Sequence, residues 1–257
     1  MKIKFIGTSS GKTSLTRFHS SILVSYNTYN LLIDAGDGIS RALLSNEISF
    51  NSLNGILFTH LHPDHFSGLP ALIVQMKMMN RITPLDIFVH ESLKKAIEKS
   101  LLKSYLLAER KGFKIVYRNF KDNEPYEVIN KLRFIARKNS HLNELEKYRD
   151  SYPDLSLYSA SFLFEAESRK VVYTSDIGSA DDLNLFSEIL PDVFITEVTH
   201  IQLESIIKKI ESLASGRIYL THYSDDDMQK IDEILAILPD NVKEKIKLAR
   251  DGYSFEI

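Results

Sequence analysis

The sequence predicts a layered α/β fold, with residues 1–257 forming one domain. Three observations carry this expectation. Short apolar, β-rich runs recur along the chain, and amphipathic stretches of helical period lie between them in both halves. No Pro-, Gly- or Ser-rich linker divides the sequence. A chain of 257 residues, 44% apolar and 26% charged, is long enough to bury a sizeable core. Its net charge of −2 argues against a protein that grips nucleic acid by bulk charge. It has no cysteine, which excludes a disulfide scaffold and any thiolate metal site. No apolar run approaches the ~20 residues of a membrane span. The opening "MKIKFIGTSS" is too short and strand-like for a signal peptide, so the expected compartment is the cytoplasm.

The elements follow in order. "KIKFIG" alternates and stops at Gly7, as an edge or half-buried strand would. "SSILVSYNTYNLLIDAG" predicts a hairpin turning at Tyr26-Asn27-Thr28, because Asn tolerates the turn conformation. "GILFTH" is a buried strand, and "SGLPALIVQMKMMN" is helical. "LDIFVH" is a strand before one long amphipathic helix, "ESLKKAIEKSLLKSYLLAERKG", with Gly112 as its stop. "FKIVYRNF", "YEVINKLRFIARK", "SASFLFEAE" and "KVVYTSD" are strands. From Asp182 the order becomes helix, strand, helix, strand, helix: "DLNLFSEIL", "VFITEVTH", "LESIIKKIESLAS", "RIYLTHYS" and "DDMQKIDEILAIL". The chain closes on "YSFEI". Residues 141–156 are the least regular and predict a charged surface loop. No repeat of fixed period and no low-complexity tract is present.

The chemistry concentrates in "FTHLHPDHFSGLP", residues 58–70. A buried strand delivers the chain to Thr59, and a loop at a strand end is where a rigid scaffold displays chemistry. His60 and His62 are two apart, so both can face one point on extended backbone. Asp64 and His65 follow as the chain turns into the next helix and face a second point. That division suits a two-metal centre better than one crowded four-coordinate ion. Nitrogen and oxygen donors fit Zn²⁺, with Mn²⁺ or Fe²⁺ as alternatives. A polar loop whose histidines meet only water rarely gathers three of them with an aspartate.

Such a cluster needs partners from elsewhere. His222 ends "RIYLTH", an apolar strand closing on Thr-His as "ILFTH" does. Asp176 ends "KVVYTSD", and a carboxylate can bridge two ions. His141 follows "LRFIARKNS" and is also placed to reach in.

This pattern, T-H-L-H-P-D-H with a later His, a strand-end Asp and a final L-T-H, resembles the metallo-β-lactamase-fold hydrolase superfamily. The likeness runs from "FIGTSSG" through "LLIDAGDG" to "ARDGYSFEI". It implies a four-layer αβ/βα sandwich with the site at one end of the strands. It implies His60, His62 and His141 on one metal and Asp64, His65 and His222 on the other, with Asp176 bridging. It also implies that Asp34 supports a metal-binding histidine from behind. For Asp37 an ordinary Asp-Gly turn is preferred.

Within the superfamily, "GTSSGKTSLTRFHSS" is most similar to the ribonuclease Z and small phosphodiesterase branch. So is "TEVT" at 196–199, beside that branch's H-E-A-T motif. His200 precedes His222 by 22 residues, the branch's separation between an auxiliary histidine and the last metal ligand. The resemblance makes His200 a proton donor or phosphate contact; the bland alternative is a polar residue at a strand exit. Arg17 and Lys12, in the loop after the first strand, are candidate phosphate contacts, against ordinary solvated charges. Three departures separate the chain from ribonuclease Z itself. Thr196 stands where H-E-A-T has its His. Leu15 and Phe18 replace the Lys and Asn of the family's Pro-x-Lys-x-Arg-Asn loop, leaving Arg17 matched. Only 34 residues lie between His141 and Asp176, little room for the arm that grips tRNA.

The expected function is a dinuclear metal-dependent hydrolase, a phosphodiesterase on a small or cyclic phosphodiester. A metal-bridging hydroxide would attack while Asp64 orients it and His200 protonates the leaving oxygen. The alternatives are a ribonuclease Z-like RNA endonuclease and a lactone or thioester hydrolase on the same centre. No membrane partner is expected. "GLPALIVQMKMMN" could serve a homodimer interface, and a core-facing helix explains it equally well.

Overall fold

The computed structural model describes residues 1–110, 112–212 and 216–257. Lys111 and residues 213–215, which the sequence assigns to helices, lie outside the described residues. Two seven-stranded sheets face each other. The first holds β1 (Lys2–Gly7), β2 (Ser21–Tyr26), β3 (Tyr29–Ile33), β4 (Gly55–Leu57), β5 (Leu85–His90) and β6 (Ile115–Phe120) in that order. The second holds β7 (Pro125–Ile129), β8 (Leu132–Lys138), β9 (Ala160–Ala166), β10 (Arg169–Tyr173), β11 (Val193–Glu197), β12 (Arg217–Thr221) and β13 (Ile246–Leu248). The last strand, β14 (Ser254–Glu256), returns to pair with β1. β1 is therefore paired on both sides and is not an edge, while exposed Lys2 and partly exposed Lys4 make it the half-buried strand that the alternation predicts.

Each sheet is antiparallel on one side and parallel on the other. The change falls at β3 in the first sheet and at β10 in the second. Both strands are the second arm of a hairpin, turning at Asn27 (φ 51°) and Glu167 (φ 56°). Both lead into Asp-x-Gly: Asp34-Ala35-Gly36 and Asp176-Ile177-Gly178. The halves thus share a backbone plan with no repeat visible in the sequence.

The core sits between the sheets. On β10, Val171 and Tyr173 join the inter-sheet core while Val172 faces the helices, the period-2 alternation of a strand covered on both faces. Phe5, Phe58, Phe88, Phe134 and Phe162 are fully buried there, each contributing about 1.5–3 kcal/mol relative to exposure. The first sheet is covered by α1 (Ile39–Ser45) and α3 (Leu69–Met78), through Ala42, Leu43, Leu72, Ile73 and Met76. The second is covered by α5 (Leu203–Ser212), α6 (Asp227–Ile237) and the short α7 (Asp240–Lys243). The layers run helix, sheet, sheet, helix, the αβ/βα sandwich that the resemblance implies.

Two helices are shorter than their patterns suggest. Between residues 91 and 112 the described residues form α4 (Lys94–Lys103) and a separate 3₁₀ turn at Ala108–Arg110 in place of one long helix. Tyr105 takes the left-handed conformation (φ 59°), and Leu106 N–H returns to the Leu101 carbonyl at 3.0 Å, a Schellman ending seven residues before Gly112. "DLNLFSEIL" winds as 3₁₀ from Ala180 to Asn184, followed by turns, with i to i+3 bonds such as Leu185 N to Asp182 O. "YEVINKLRFIARK" is two strands, β7 and β8, folded at Asn130-Lys131 with Lys131 at φ 70°.

Candidate metal centre

β4 ends at Leu57, and Phe58, Thr59 and His60 carry the chain out of the core. His62 precedes the single turn α2 (Pro63–Phe66), and Pro63 favours a helix start at that point. Asp64 and His65 project from that turn. Close approach is possible because Gly36 lies against the Asp64 carbonyl: a Cβ there would stand 1.8 Å from it. The second half repeats the device. Gly178 lies against the Ser140 carbonyl, where a Cβ would stand 2.4 Å away, so the segment carrying Asp176 touches the segment carrying His141.

Seven residues meet at this mouth. His60, His62, His141 and Asp176 form one quartet; Asp64, His65, His222 and Asp176 form another, and Asp176 belongs to both. His65 Nε2 is 3.4 Å from Asp64 Oδ2, 3.3 Å from Asp176 Oδ2 and 3.4 Å from His222 Nε2. His222 Nε2 is 3.3 Å from both carboxylates. In the other quartet His141 Nε2 is 3.1 Å from His62 Nδ1 and 3.8 Å from Asp176 Oδ2, and His60 Nε2 is 3.9 Å from Asp176 Oδ2. Donors about 2.0–2.1 Å from a tetrahedral zinc stand roughly 3.3 Å apart, so these separations suit a metal centre.

Burial supplies a second test. His60 Nε2 and Asp176 Oδ1 are buried with no hydrogen-bond partner, a costly state unless something else satisfies them. The fault is not tautomeric. His60 Nδ1–H donates to the Thr59 hydroxyl at 3.0 Å, which donates to Asp34 at 2.8 Å, leaving Nε2 bare toward the centre. His65 Nδ1–H donates to Asp34 directly at 2.8 Å, and Thr59 N–H donates to the same carboxylate at 2.9 Å. Asp34 thus contacts His65 directly and His60 through Thr59, while Asp37 is an exposed turn residue.

The protonation states agree with this. Burial pushes His60 and His62 below the ordinary histidine value, and His141 down to about 4. Burial alone would raise Asp64, but hydrogen bonds from His222 and His65 hold it well below the usual carboxylate range. Burial likewise opposes the ionised form of Asp176, and the His222 and His65 charges outweigh it. Neutral imidazoles and ionised carboxylates are the forms a divalent cation needs. For His65, burial is overcome by the charges of Asp176 and Asp34, which raise it above the ordinary histidine value.

Two buried acids outside the quartets hold the frame. Asp182 accepts from Ser140 Oγ (2.6 Å), Ser140 N–H (3.1 Å) and Gly178 N–H (2.9 Å), joining the His141 and Asp176 segments. Asn139 adds a bond from Nδ2 to the Asp176 carbonyl at 2.8 Å. Glu197, 1% exposed at the end of β11, accepts from Thr199 N–H (2.7 Å), His200 N–H (2.9 Å) and His200 Nδ1–H (3.0 Å). It turns His200 onto the rim beside the centre, with the His200 and His141 rings 4.8 Å apart. Burial lowers the His200 pKa, and the Glu197 hydrogen bond and charge outweigh this and raise it. In the sequence Glu197 stands out only as part of "TEVT", and nothing there marks Asp182.

Lys12 and His200 line the cleft of about 390 Å³ over the quartets, together with Ser10, Gly11 and Ser224. Lys12 is paired there with Asp226. Arg17 is not brought to that cleft. Its guanidinium donates to Asp225 at 2.7 Å and stacks over Tyr223 at 4.1 Å.

Comparison with known proteins follows this geometry. The family model described as Anti-Pycsar protein Apyc1 matches residues 1–236, a span that includes all seven quartet residues, Glu197 and His200. The Anti-Pycsar protein Apyc1 of Bacillus phage BSP38 is 26% identical over 241 residues, covering 88% of this chain and 90% of that protein. A ribonuclease Z of Methanococcus aeolicus is 31% identical over 136 residues; the match covers 53% of this chain and only 41% of that relative. The crystal structure of YhfI from Bacillus subtilis, a metallo-β-lactamase fold protein, superposes with a TM-score of 0.74 at 18% identity, covering 99% and 98% of the two chains. The sandwich described above is therefore the metallo-β-lactamase fold, and by the family model that runs through its whole site the chain belongs to the Anti-Pycsar protein Apyc1 family.

Proposed function

We propose that the protein is a dinuclear metal-dependent phosphodiesterase acting on a small or cyclic phosphodiester. The observation that carries this reading is the pair of quartets sharing Asp176, with bare buried nitrogen and oxygen atoms at their centre. His60, His62, His141 and Asp176 would hold one cation; Asp64, His65, His222 and Asp176 would hold the other. When bound, two divalent cations, Zn²⁺ by this donor set or alternatively Mn²⁺ or Fe²⁺, would acidify a water and neutralise charge growing on the phosphoryl oxygens.

The chain's own groups do the rest. The free edge of Asp64 orients the water for in-line attack on phosphorus. As the new P–O bond forms, the ester P–O bond opposite it breaks, and His200 gives its proton to the departing oxygen. Glu197 keeps His200 in place, since Nδ1 is committed to the carboxylate and Nε2 is left for the cleft. Lys12 on the rim is the cation available to a phosphate if it exchanges Asp226 for substrate.

The likeness to ribonuclease Z favours a second reading, an RNA endonuclease. Against it, the chain between His141 and Asp176 forms a short 3₁₀ turn (Asn143–Tyr148) and two strands, leaving no long arm, and the net charge is −2. The test is metal analysis of the purified protein followed by hydrolysis assays with added Mn²⁺ or Zn²⁺. About two ions per chain and turnover of bis(4-nitrophenyl) phosphate and 3′,5′-cyclic nucleotides are expected. Cleavage of a tRNA precursor with neither small diester hydrolysed would transfer the assignment to the second reading. A chain that binds no metal would end both.

A further inference from the structure

Lys12 reaches the cleft on the loop that joins β1 to β2, residues 8–20. The tip of this loop roofs one side of the centre: a Cβ on Gly11 would stand 3.2 Å from Asp64 Oδ2. The two ends of the loop meet on a single carboxylate from the far end of the chain. Asp251 Oδ1 accepts from the fully buried Thr8 hydroxyl at 2.7 Å, and Asp251 Oδ2 accepts from Phe18 N–H at 2.8 Å. Beside this clasp Ser9 N–H donates to the Phe18 carbonyl (2.8 Å), and Ser20 N–H donates to the Ser9 carbonyl (2.9 Å).

Asp251 is itself anchored. Gly252, at φ 85°, donates its N–H to the Phe5 carbonyl at 2.8 Å, which turns the chain after Ala249 against β1. Phe5 and Ala249 both belong to the core between the sheets. The other side-chain ties of the loop are weaker. Arg17 pairs with Asp225 and Lys12 with Asp226, acids whose side chains are 49% and 73% exposed. Surface pairs of this kind hold little against water, whereas hydrogen bonds to a half-buried carboxylate are strong ones. Lys12 must also leave Asp226 to meet a phosphate. When it does, Asp251 still holds the loop at the height of Asp64.

We propose that Asp251 is a positioning residue for the cleft. It belongs to neither quartet and does not line the cleft. By closing both ends of the loop on one carboxylate, it fixes where Gly11 and Lys12 stand over Asp64, and so how tightly the phosphoryl group is gripped. The inference rests on the phosphodiesterase reading above, since it takes Lys12 as a contact of that group.

The experiment measures bis(4-nitrophenyl) phosphate hydrolysis by the metal-loaded full chain, by Asp251→Asn, by Lys12→Ala and by the double variant. Asp251→Asn keeps the size of the side chain and turns one acceptor into a donor facing a donor. Its KM should rise about tenfold with kcat within about twofold of wild type, the mark of binding lost equally from ground and transition states. Thr8→Val, which removes one of the two donors, should raise KM by less, and it carries the comparison if Asp251→Asn does not fold. Because Asp251 acts through the loop that carries Lys12, adding Asp251→Asn to Lys12→Ala should raise KM by less than about twofold. An unchanged KM in the folded variants, or single effects that multiply in full in the double variant, overturns the proposal. If the wild type hydrolyses no diester, the phosphodiesterase reading fails separately, and hydrogen exchange of the metal-free full chain decides the clasp. Faster exchange in Asp251→Asn confined to the amides of residues 9–20 then supports it. An unchanged pattern, or faster exchange spread through both sheets, overturns it.

Discussion

Asp34 and His65 are both fully buried and meet at 2.8 Å, and the same carboxylate reaches His60 through the Thr59 hydroxyl. One acid therefore sets the tautomer of a histidine in each quartet. Asp34→Asn keeps the shape but replaces one acceptor with a donor facing donors. Cation affinity should fall by about 10–100-fold, read by titration of the metal-free protein with Zn²⁺. Wild-type affinity in a folded variant would show that the histidines need no such support.

His200 touches Glu197 and the cleft but belongs to neither quartet. His200→Ala should lower kcat by about 10²–10⁴-fold while metal content stays at the wild-type value. Glu197→Gln should move activity in the same direction by less, since Gln can still accept one bond from the ring. Equal turnover in His200→Ala would reduce the histidine to a polar residue on a strand exit.

Asp182 gathers Ser140 and Gly178 around one carboxylate. Asp182→Ala leaves those donors without their acceptor and should cost about 1.5–3 kcal/mol of stability, measured by urea unfolding. Because Ser140 precedes His141, binding of the cation proposed for His60, His62 and His141 should weaken more than binding of the one proposed for Asp64, His65 and His222. A two-step metal titration with equal losses in both steps would count against this.

Removing metal with a chelator should lower the melting temperature, and adding it back should restore it. Binding at a free concentration one hundred times Kd stabilises the folded chain by about 2.7 kcal/mol per site. An identical melting curve before and after chelation would mean that no cation was holding the mouth of the sandwich.

His90 gives a pH test away from the centre. Its ring stacks flat on Tyr158 at 3.7 Å, and burial lowers its pKa despite the nearby Asp122 and Glu91. Its folded value lies below its unfolded one, so its contribution to stability is complete above about pH 6.5 and drains away as pH falls below that. His90→Gln should therefore show a slightly flatter decline in melting temperature from pH 7 to pH 5 than the wild type. Parallel curves would show that the stacked ring titrates as it would in water.

The legible part of the site was local. Three histidines and an aspartate within six residues announce themselves in any sequence, and "LFTH", "YLTH" and "YTSD" mark strand ends where partners can stand. The illegible part was non-local. Asp182 lies 42 residues from the Ser140 it holds, and no spacing rule connects them. Arg17 looked available until Asp225, 208 residues away in sequence, was found beside it. The likeness of the halves is carried by backbone register and by Asp-x-Gly at two strand exits, too little identity for a repeat to be seen. Helix length failed where backbone closure, at Tyr105, overrode an uninterrupted amphipathic pattern.

The shared carboxylate has a consequence for how the protein is made. His60, His62, Asp64 and His65 leave the ribosome together, yet neither quartet can close until Asp176 follows more than one hundred residues later, and the second must also wait for His222. If the quartets take cations as proposed, a nascent chain would offer them only scattered, weak handholds, and secure capture would come late, once most of the polypeptide has emerged and both sheets can zip together.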